Sequence, residues 1–386
     1  MKSANLLLSS LGTTIFTTMS ALAAEHHAIN LGQGFPDTDG PADVVEFAAA
    51  ALMDGANQYP PLAGLPVLRA AVEGINQRFY GLRADAGFEV VVTSGGTEGL
   101  AACLMALLNP GDEVVVFEPV YDTYLPMIRL LGGVAKVVRL EPPDWALPVA
   151  ELRAAFGPKT KAVLLNNPMN PTGKVFSEAE LEVIAGLVLE FDSYAVCDEV
   201  YEHLVFDGLK HKPLMSLPGM RERTLRIGSA GKTFSLTGWK IGYVTAPAAL
   251  AAVVAKAHQN LTFTSPPNLQ RAVAFGLSKD VGYFQGLARD LAGKREVLRS
   301  GLARAGLPCF PCSGTYFVVA DIRGVFRGGD LAFCRFITEN AQVAAIPLSA
   351  FYDRADAPKH LVRFAFCKRV EGLEEAVERL IGCFSR

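Results

Sequence analysis

A lysine in a loop of small residues is the first candidate for chemistry in this sequence of 386 residues. Lys232 lies in the run Ser229–Ser235, which follows an apolar segment, and Lys240 comes eight residues later. Burial and a neighbouring cation both lower the pKa of a lysine and make its amine a usable nucleophile. We therefore expect Lys232 to act on a ligand, although an ordinary surface lysine would fit the same residues.

A carboxylate, a phenol and an amide follow other strand-like segments. Asp198 comes directly after the apolar residues 194–197, and Tyr201 lies three residues further on. Asn170 belongs to the run Asn166–Lys174, whose two Asn-Pro steps predict a rigid turn. Ligands of α/β sheets bind beyond the carboxyl ends of the strands, so these side chains are expected to share a site. A turn without a ligand would explain the asparagine run alone.

The run Ser94–Thr97 joins a predicted strand, residues 89–93, to a predicted helix that continues to Leu108. Its glycines allow close approach of an anion, and the N–H groups of a helix N-terminus donate to one. Gly96 and Thr97 are thus candidate anion ligands, although a tight turn with no ligand is equally compatible.

These candidate groups together match the needs of pyridoxal 5′-phosphate. They comprise an amine, an acid, a phenol, an amide and an anion cradle. That cofactor requires a lysine for the Schiff base, a carboxylate on its pyridinium nitrogen, donors to its ring oxygen and a phosphate cup.

Four motifs, taken together and in their order along the sequence, resemble those of the class I/II aminotransferases of fold type I. The resemblance extends over essentially the whole chain. The similarity is greatest to the branch of kynurenine aminotransferase/glutamine transaminase K and bacterial methionine aminotransferases. The motifs are Asn30–Asp37, Asn167–Lys174, Asp198–Glu202 and Gly231–Lys240.

The resemblance implies a role for each candidate residue. Lys232 would carry the Schiff base and move the proton, Asp198 would pair with the pyridinium nitrogen, and Tyr201 with Asn170 would donate to the ring oxygen. The remaining implied cofactor ligands are Gly96, Thr97, Ser229 and Lys240 around the phosphate, Tyr121 stacked on the ring, and Tyr59 reaching the neighbouring subunit's phosphate. Lys240 stands where many relatives have arginine.

The same resemblance implies how the substrate is bound. Arg363, inside the apolar run 361–366, would hold the α-carboxylate in a forked geometry, with Asn170 and the Gly34 backbone assisting. A structural salt bridge is the alternative explanation for this arginine.

The implied function is transfer of an amino group from an L-amino acid to a 2-oxo acid. Methionine, glutamine and aromatic or kynurenine-like donors are expected, because no second arginine is evident for a dicarboxylic side chain. A homodimer with shared sites is also implied. The alternative is a pyridoxal-phosphate β-lyase acting on cysteine S-conjugates or cystathionine.

Alternating strand-like and helical patterns predict an α/β fold. Strands are predicted over residues 89–93, 112–117, 135–140, 161–165, 193–197, 224–227 and 240–245. The later part of the chain predicts a helix over residues 290–305, strands over 315–321, 343–346 and 361–365, and a closing helix over 373–384. We expect a large domain with a mostly parallel, seven-stranded sheet flanked by helices, and a smaller α+β domain. The expected boundaries are 1–40 for an N-terminal arm and part of the small domain, 41–280 for the cofactor domain, and 281–386 for the small domain.

Composition limits the other possibilities. The net charge is −3 and no run of Lys and Arg occurs, so neither nucleic acid nor an anionic membrane is an expected partner. Seven scattered cysteines indicate reduced thiols and a cytoplasmic protein, and no metal site is expected. The N-terminal residues 1–23 have the outline of a signal peptide, but they also fit an arm followed by a helix over residues 17–25.

Overall fold

The computed structural model describes residues 2–385. Its helices are α1 (Leu6–Ser10), α2 (Ile15–Glu25), α3 (Ala42–Asp54), α4 (Pro66–Tyr80), α5 (Gly95–Leu107), α6 (Tyr124–Leu130), α7 (Val149–Ala155), α8 (Glu178–Glu190), α9 (Ala230–Thr233), α10 (Ala248–Leu261), α11 (Pro267–Leu277), α12 (Val281–Arg304), α13 (Asp330–Asn340) and α14 (Val370–Phe384). Its strands are β1 (Ile29–Asn30), β2 (Val90–Thr93), β3 (Glu113–Glu118), β4 (Val134–Arg139), β5 (Thr160–Asn166), β6 (Tyr194–Asp198), β7 (Thr224–Ser229), β8 (Gly242–Thr245), β9 (Phe317–Asp321), β10 (Val343–Ala344), β11 (Ile346–Pro347) and β12 (Leu361–Ala365).

The central sheet confirms the expected fold class. It has seven strands in the order β2-β8-β7-β6-β5-β3-β4. β8 runs antiparallel to both of its neighbours, and the other adjacent pairs are parallel. Helices cover both faces, which explains why β2, β7 and β8 are buried along their whole length.

The register of this sheet aligns the ends of three strands. Asn166 at the end of β5 is paired with Asp198 at the end of β6, and Asp198 is paired with Ile227 of β7. Because these strands are parallel, their carboxyl ends share one edge of the sheet. Residues far apart in sequence are brought together there.

Two smaller sheets lie outside the central one. β9, β12 and β11 form an antiparallel sheet in the order β11-β12-β9, and β1 pairs with β10 in parallel. The single strand predicted over residues 343–346 is wrong, because β10 and β11 belong to different sheets on either side of Ala345. α12 also begins earlier than the predicted residue 290, because the Asp280 side chain accepts from the Tyr283 N–H and caps the helix there.

The N-terminal segment is two helices in the fold. Within residues 2–385, Leu6–Glu25 is the one stretch that is long and apolar enough to span a bilayer by length and composition. The backbone is extended at Leu11, which separates α1 from α2. α2 buries Met19 and Ala23 against the smaller sheets, so the predicted arm and helix are present, whereas α1 is largely exposed.

A buried ion cluster supports the turn that follows β6. The guanidinium of Arg226, on β7, donates to Glu199 at 2.5 Å and also to Glu202 and Asn76. Tyr80 donates to Glu202 at 2.7 Å, and Arg226 lies 4.7 Å from the centre of its ring. One cation and two carboxylates are thereby paired in the interior, where removal of one partner leaves an uncompensated charge.

We expect Arg226→Met to lower the free energy of unfolding by about 3–5 kcal/mol, because it strands two buried carboxylates. Urea denaturation of cofactor-free protein at one fixed protein concentration measures the change. Arg304→Met is the matched control, because Arg304 forms only an exposed ion pair with Glu378 and should change little. Equal stability of the two variants would contradict the role of the cluster.

Candidate active site

The residues singled out from the sequence converge on one cavity of about 310 Å³. It opens at the carboxyl edge of the central sheet, where β5, β6 and β7 end in Asn166, Asp198 and Ser229. Eleven of the twelve predicted site residues line it, and these are Gly34, Gly96, Thr97, Tyr121, Asn170, Asp198, Tyr201, Ser229, Lys232, Lys240 and Arg363. The exception is Tyr59.

Lys232 presents a half-buried amine to this cavity. It lies in the one-turn helix α9, directly after β7, and its Nζ donates to the Tyr316 hydroxyl at 3.0 Å. Burial lowers the pKa of Lys232 to about 8, and the charges of Lys240 and Arg363 act in the same direction. The ammonium is thus easier to deprotonate than an ordinary lysine, which is the condition expected of an amine nucleophile.

Asp198 presents a half-buried carboxylate to the same cavity. Tyr124 donates to its Oδ2 at 2.5 Å, and the Val200 N–H donates to Oδ1 at 3.3 Å. Burial raises the pKa of Asp198, whereas these hydrogen bonds and the Lys232 charge oppose the rise. A cationic N–H placed in the cavity would stabilise this carboxylate. Sequence reasoning missed Tyr124, whose only signal is a second phenol three residues after Tyr121 at the start of α6.

Arg363 is a buried guanidinium with spare binding capacity. It is 1% exposed and donates to Asn170 Oδ1 at 2.9 Å and to the Gly32 carbonyl at 2.7 Å. Its Nε has no partner within residues 2–385, and no salt bridge joins it to any acidic side chain there. Burial lowers the pKa of Arg363 to about 10. The structural salt bridge, the alternative explanation for this arginine, is therefore not seen within residues 2–385.

Aromatic rings surround the Arg363 guanidinium. Its central carbon lies 3.9 Å from the ring centre of Phe317, 5.1 Å from that of Phe351 and 5.2 Å from that of Phe16. Phe317 also explains the glycine at position 34, since a Cβ there would lie 2.5 Å from the Phe317 ring. Sequence reasoning missed Phe317, which begins β9 and carries no motif of its own.

The anion cradle is formed at the start of α5. Gly95 has φ +75°, and a Cβ on it would come within 3.3 Å of the Lys240 side chain. No side chain within residues 2–385 caps this thirteen-residue helix, and Gly96 and Thr97 of its first turn line the cavity. A phosphate fits such a helix N-terminus beside a cation.

Tyr59 lies away from the cavity. Its side chain is 81% exposed, and its ring contacts that of Phe263 edge-on at a centroid distance of 5.2 Å. The implied contact with a neighbouring subunit needs such an exposed position.

We find no second candidate site, for a metal ion or for redox chemistry, in the part of the chain that is described. Residues 2–385 contain no group of three or more His, Cys, Asp or Glu that could hold a metal ion. Burial raises the pKa of both Cys309 and Cys312 to about 12, so this CxxC pair lacks thiolate character.

Known proteins are similar to this chain in sequence and fold. A family model for aminotransferase class I and II matches residues 26–380. A probable N-succinyldiaminopimelate aminotransferase of Mycobacterium tuberculosis is 43% identical over 378 residues, which cover 95% of each protein. A methionine aminotransferase of Escherichia coli K12 is 41% identical over 374 residues, covering 97% of this chain and 96% of that one. The solved structure of the N-succinyldiaminopimelate aminotransferase from Mycobacterium tuberculosis matches with a TM-score of 0.96 at 43% identity, covering 99% of this chain and 100% of that one.

The cavity also fits the cofactor of these enzymes. Within residues 2–385 it combines an amine with a lowered pKa, a half-buried carboxylate without a cationic hydrogen-bond partner, and a helix start beside Lys240 without a side-chain cap. Sequence, fold and site therefore agree. The chain belongs to the class I and II aminotransferases of fold type I, the pyridoxal-phosphate-dependent enzymes that transfer amino groups between amino acids and 2-oxo acids.

Proposed function

We propose that this aminotransferase takes its amino group from L-amino acids with uncharged side chains, namely methionine, glutamine and aromatic or kynurenine-like amino acids. The observation that carries the proposal is Arg363, a buried guanidinium without an acidic partner within residues 2–385, on the cavity that holds the Lys232 amine. An amino-acid carboxylate supplies the missing anion in a forked geometry.

Eight residues of the same chain besides Lys232, and one residue of a second copy, would hold the cofactor. Asp198 would accept from the pyridine nitrogen, Tyr201 and Asn170 would bind the ring oxygen, and Tyr121 would stack on the ring. The phosphate would lie among Gly96, Thr97, Ser229 and Lys240, with Tyr59 of a second copy of this chain completing it. When bound, pyridoxal phosphate supplies an electron-accepting ring that makes the proton on the substrate Cα acidic.

The protein supplies the proton transfer. Lys232 would hold the cofactor covalently until the substrate amine takes its place, which releases a neutral amine beside Cα. A pKa of about 8 keeps a useful fraction of that amine neutral near pH 7, so that it can accept the Cα proton. Asp198 would keep the ring nitrogen protonated, because an adjacent carboxylate stabilises the N–H cation. Pairing with that cation would in turn offset the burial that raises the pKa of Asp198.

The donor class follows from the charges on the cavity wall. Within residues 2–385 the cations that line it are Lys232, Lys240 and Arg363, and each already has a role. Phe16 and Phe35 are among the apolar residues that line the same cavity. A second carboxylate would therefore be desolvated without a cationic partner, which disfavours dicarboxylic donors.

We also propose that the enzyme is a homodimer with shared sites and that it acts in the cytoplasm. Exposure of Tyr59 supports the first point, because an exposed phenol is available to a second copy. Reduced cysteines support the second, since no disulfide forms among those of residues 2–385.

Borohydride reduction of the holoenzyme should trap the cofactor on Lys232, because its half-buried amine lies inside the cavity with a lowered pKa. Lys232→Ala should lose transamination by several orders of magnitude, since it removes nucleophile and base together. Peptide mass mapping identifies the labelled lysine. A label on another lysine, or full activity of Lys232→Ala, would contradict the assignment.

A panel of donors tests the substrate class. Methionine, glutamine and kynurenine should be better donors than aspartate, and N-succinyl-L,L-diaminopimelate belongs in the panel because one relative is named for it. Arg363→Lys should lower kcat/KM for every donor by a similar factor, about 10- to 100-fold, because the carboxylate fork is common to all. Product masses measure transfer and separate it from β-elimination.

The opposite pattern would overturn the proposal. Aspartate as the best donor would refute the uncharged side-chain site. Unchanged activity of Arg363→Lys, with cofactor absorbance intact, would refute the carboxylate role.

Mixing two inactive or impaired chains tests the shared site. In a heterodimer of Lys232→Ala and Tyr59→Phe chains, one site receives both an intact Lys232 and an intact Tyr59 if the tyrosine crosses the interface. Random mixing should then restore about one quarter of the wild-type sites. Activity no higher than the Tyr59→Phe chains supply alone, or an active monomer in sedimentation, would rule the arrangement out.

A further inference from the structure

A single phenol links the reactive lysine to the substrate end of the cavity. Lys232 Nζ donates to the Tyr316 hydroxyl at 3.0 Å, and that hydroxyl donates to the Gly34 carbonyl at 2.5 Å. The chain of two hydrogen bonds therefore runs from the amine to the segment that lies beside Arg363, whose guanidinium donates to the Gly32 carbonyl. Sequence reasoning assigned no role to Tyr316.

The surroundings hold Tyr316 in one place. Its side chain is 2% exposed, and its ring meets the rings of Tyr201 and Phe317 edge-on at 5.2 and 4.8 Å. Its backbone carbonyl accepts from the Phe366 N–H at 2.9 Å, just beyond the end of β12. Burial raises the pKa of Tyr316 well above its usual value, so the group is a neutral phenol across the working pH range.

The direction of the hydrogen bonds determines what the phenol can do. A hydroxyl has one proton, and that of Tyr316 is committed to the Gly34 carbonyl. Its oxygen can then only accept from the amine, and it cannot donate to the nitrogen lone pair. The lone pair of a neutral Lys232 is left available for a proton, while one N–H is held in a defined direction.

We propose that Tyr316 is a positioning residue for proton transfer, which fixes the rotation of the free Lys232 amine so that its lone pair faces the substrate Cα. The inference rests on the base role proposed above for Lys232. It concerns the stage of the reaction at which the lysine amine is free. Correct orientation of a catalytic group is worth orders of magnitude in rate, whereas its loss leaves binding intact.

Tyr316→Phe removes the hydroxyl and leaves the ring. We expect kcat to fall about tenfold or more, with KM for the donor and cofactor content within about twofold of wild type. The kinetic isotope effect on kcat with a Cα-deuterated donor should increase, because proton transfer becomes slower relative to the other steps. A merely structural role would not move the isotope effect.

Tyr283→Phe is the matched control. The Tyr283 hydroxyl donates to the Thr233 carbonyl at 3.2 Å, next to Lys232 along the chain, whereas Lys232 Nζ is hydrogen-bonded to Tyr316 instead. This variant should keep the wild-type kcat and isotope effect. If Tyr283→Phe changed kcat and the isotope effect as much as Tyr316→Phe, a general loss of rigidity around α9 would explain both variants. That result would contradict the positioning role of Tyr316.

A second measurement needs no turnover. In the cofactor-free protein, acetylation of Lys232 by acetic anhydride should become half-maximal near pH 8, because the ammonium is unreactive below its pKa of about 8. In Tyr316→Phe the midpoint should move to lower pH by about 0.4 to 1 unit, the shift that corresponds to one lost hydrogen bond. An unmoved midpoint contradicts the hydrogen bond.

The outcomes separate this inference from the proposed function. If Lys232→Ala retains wild-type transamination, the base role itself fails, whatever Tyr316→Phe does. If Lys232→Ala is inactive while Tyr316→Phe keeps the wild-type kcat and isotope effect, only the role of Tyr316 is overturned.

Discussion

The buried guanidinium of Arg363 is the interaction on which the architecture of the site depends. It lies on β12 of the small antiparallel sheet, and it reaches across to Asn170 after β5 and to the Gly32 carbonyl after β1. Three segments far apart in sequence thus meet at one cation, which aromatic rings shield from water. A charge buried in this way needs an anion, so the same contact that joins the segments also demands a carboxylate ligand.

Burial acts on the two reactive groups in opposite directions. It lowers the pKa of Lys232 to about 8 and raises the pKa of Asp198, because in each case the low-polarity surroundings favour the neutral form. The bound cofactor would bring a cationic nitrogen to the acid and an aldehyde to the amine. The shifted pKa values of Lys232 and Asp198 therefore suit the aldehyde and the ring nitrogen of pyridoxal phosphate.

A second layer of contacts holds these groups without facing the cavity. The ion cluster around Arg226 fixes the turn that carries Asp198 and Tyr201, since its acceptors Glu199 and Glu202 alternate with them along the chain. On the other side, Lys368 donates to the Phe35 carbonyl at 2.8 Å and braces the wall of the substrate space. Rigid support of this kind keeps reacting groups within the narrow geometry that catalysis needs.

The sequence by itself determined the elements and the motifs, because these depend on local patterns. All seven central strands were predicted within two residues of their ends. Eleven of the twelve predicted site residues meet in the cavity, most of them from segments that follow strands, whereas Arg363 lies within β12 and Lys240 just before β8. Only the tertiary structure decided which groups touch: the phenol of Tyr124 on Asp198, that of Tyr316 on Lys232, and the absence of an acid beside Arg363 within residues 2–385. Those contacts join residues separated by 74 and 84 positions, a distance over which no periodicity or spacing carries a signal. They arise only when the register of the parallel strands brings distant chain ends to one edge of the sheet.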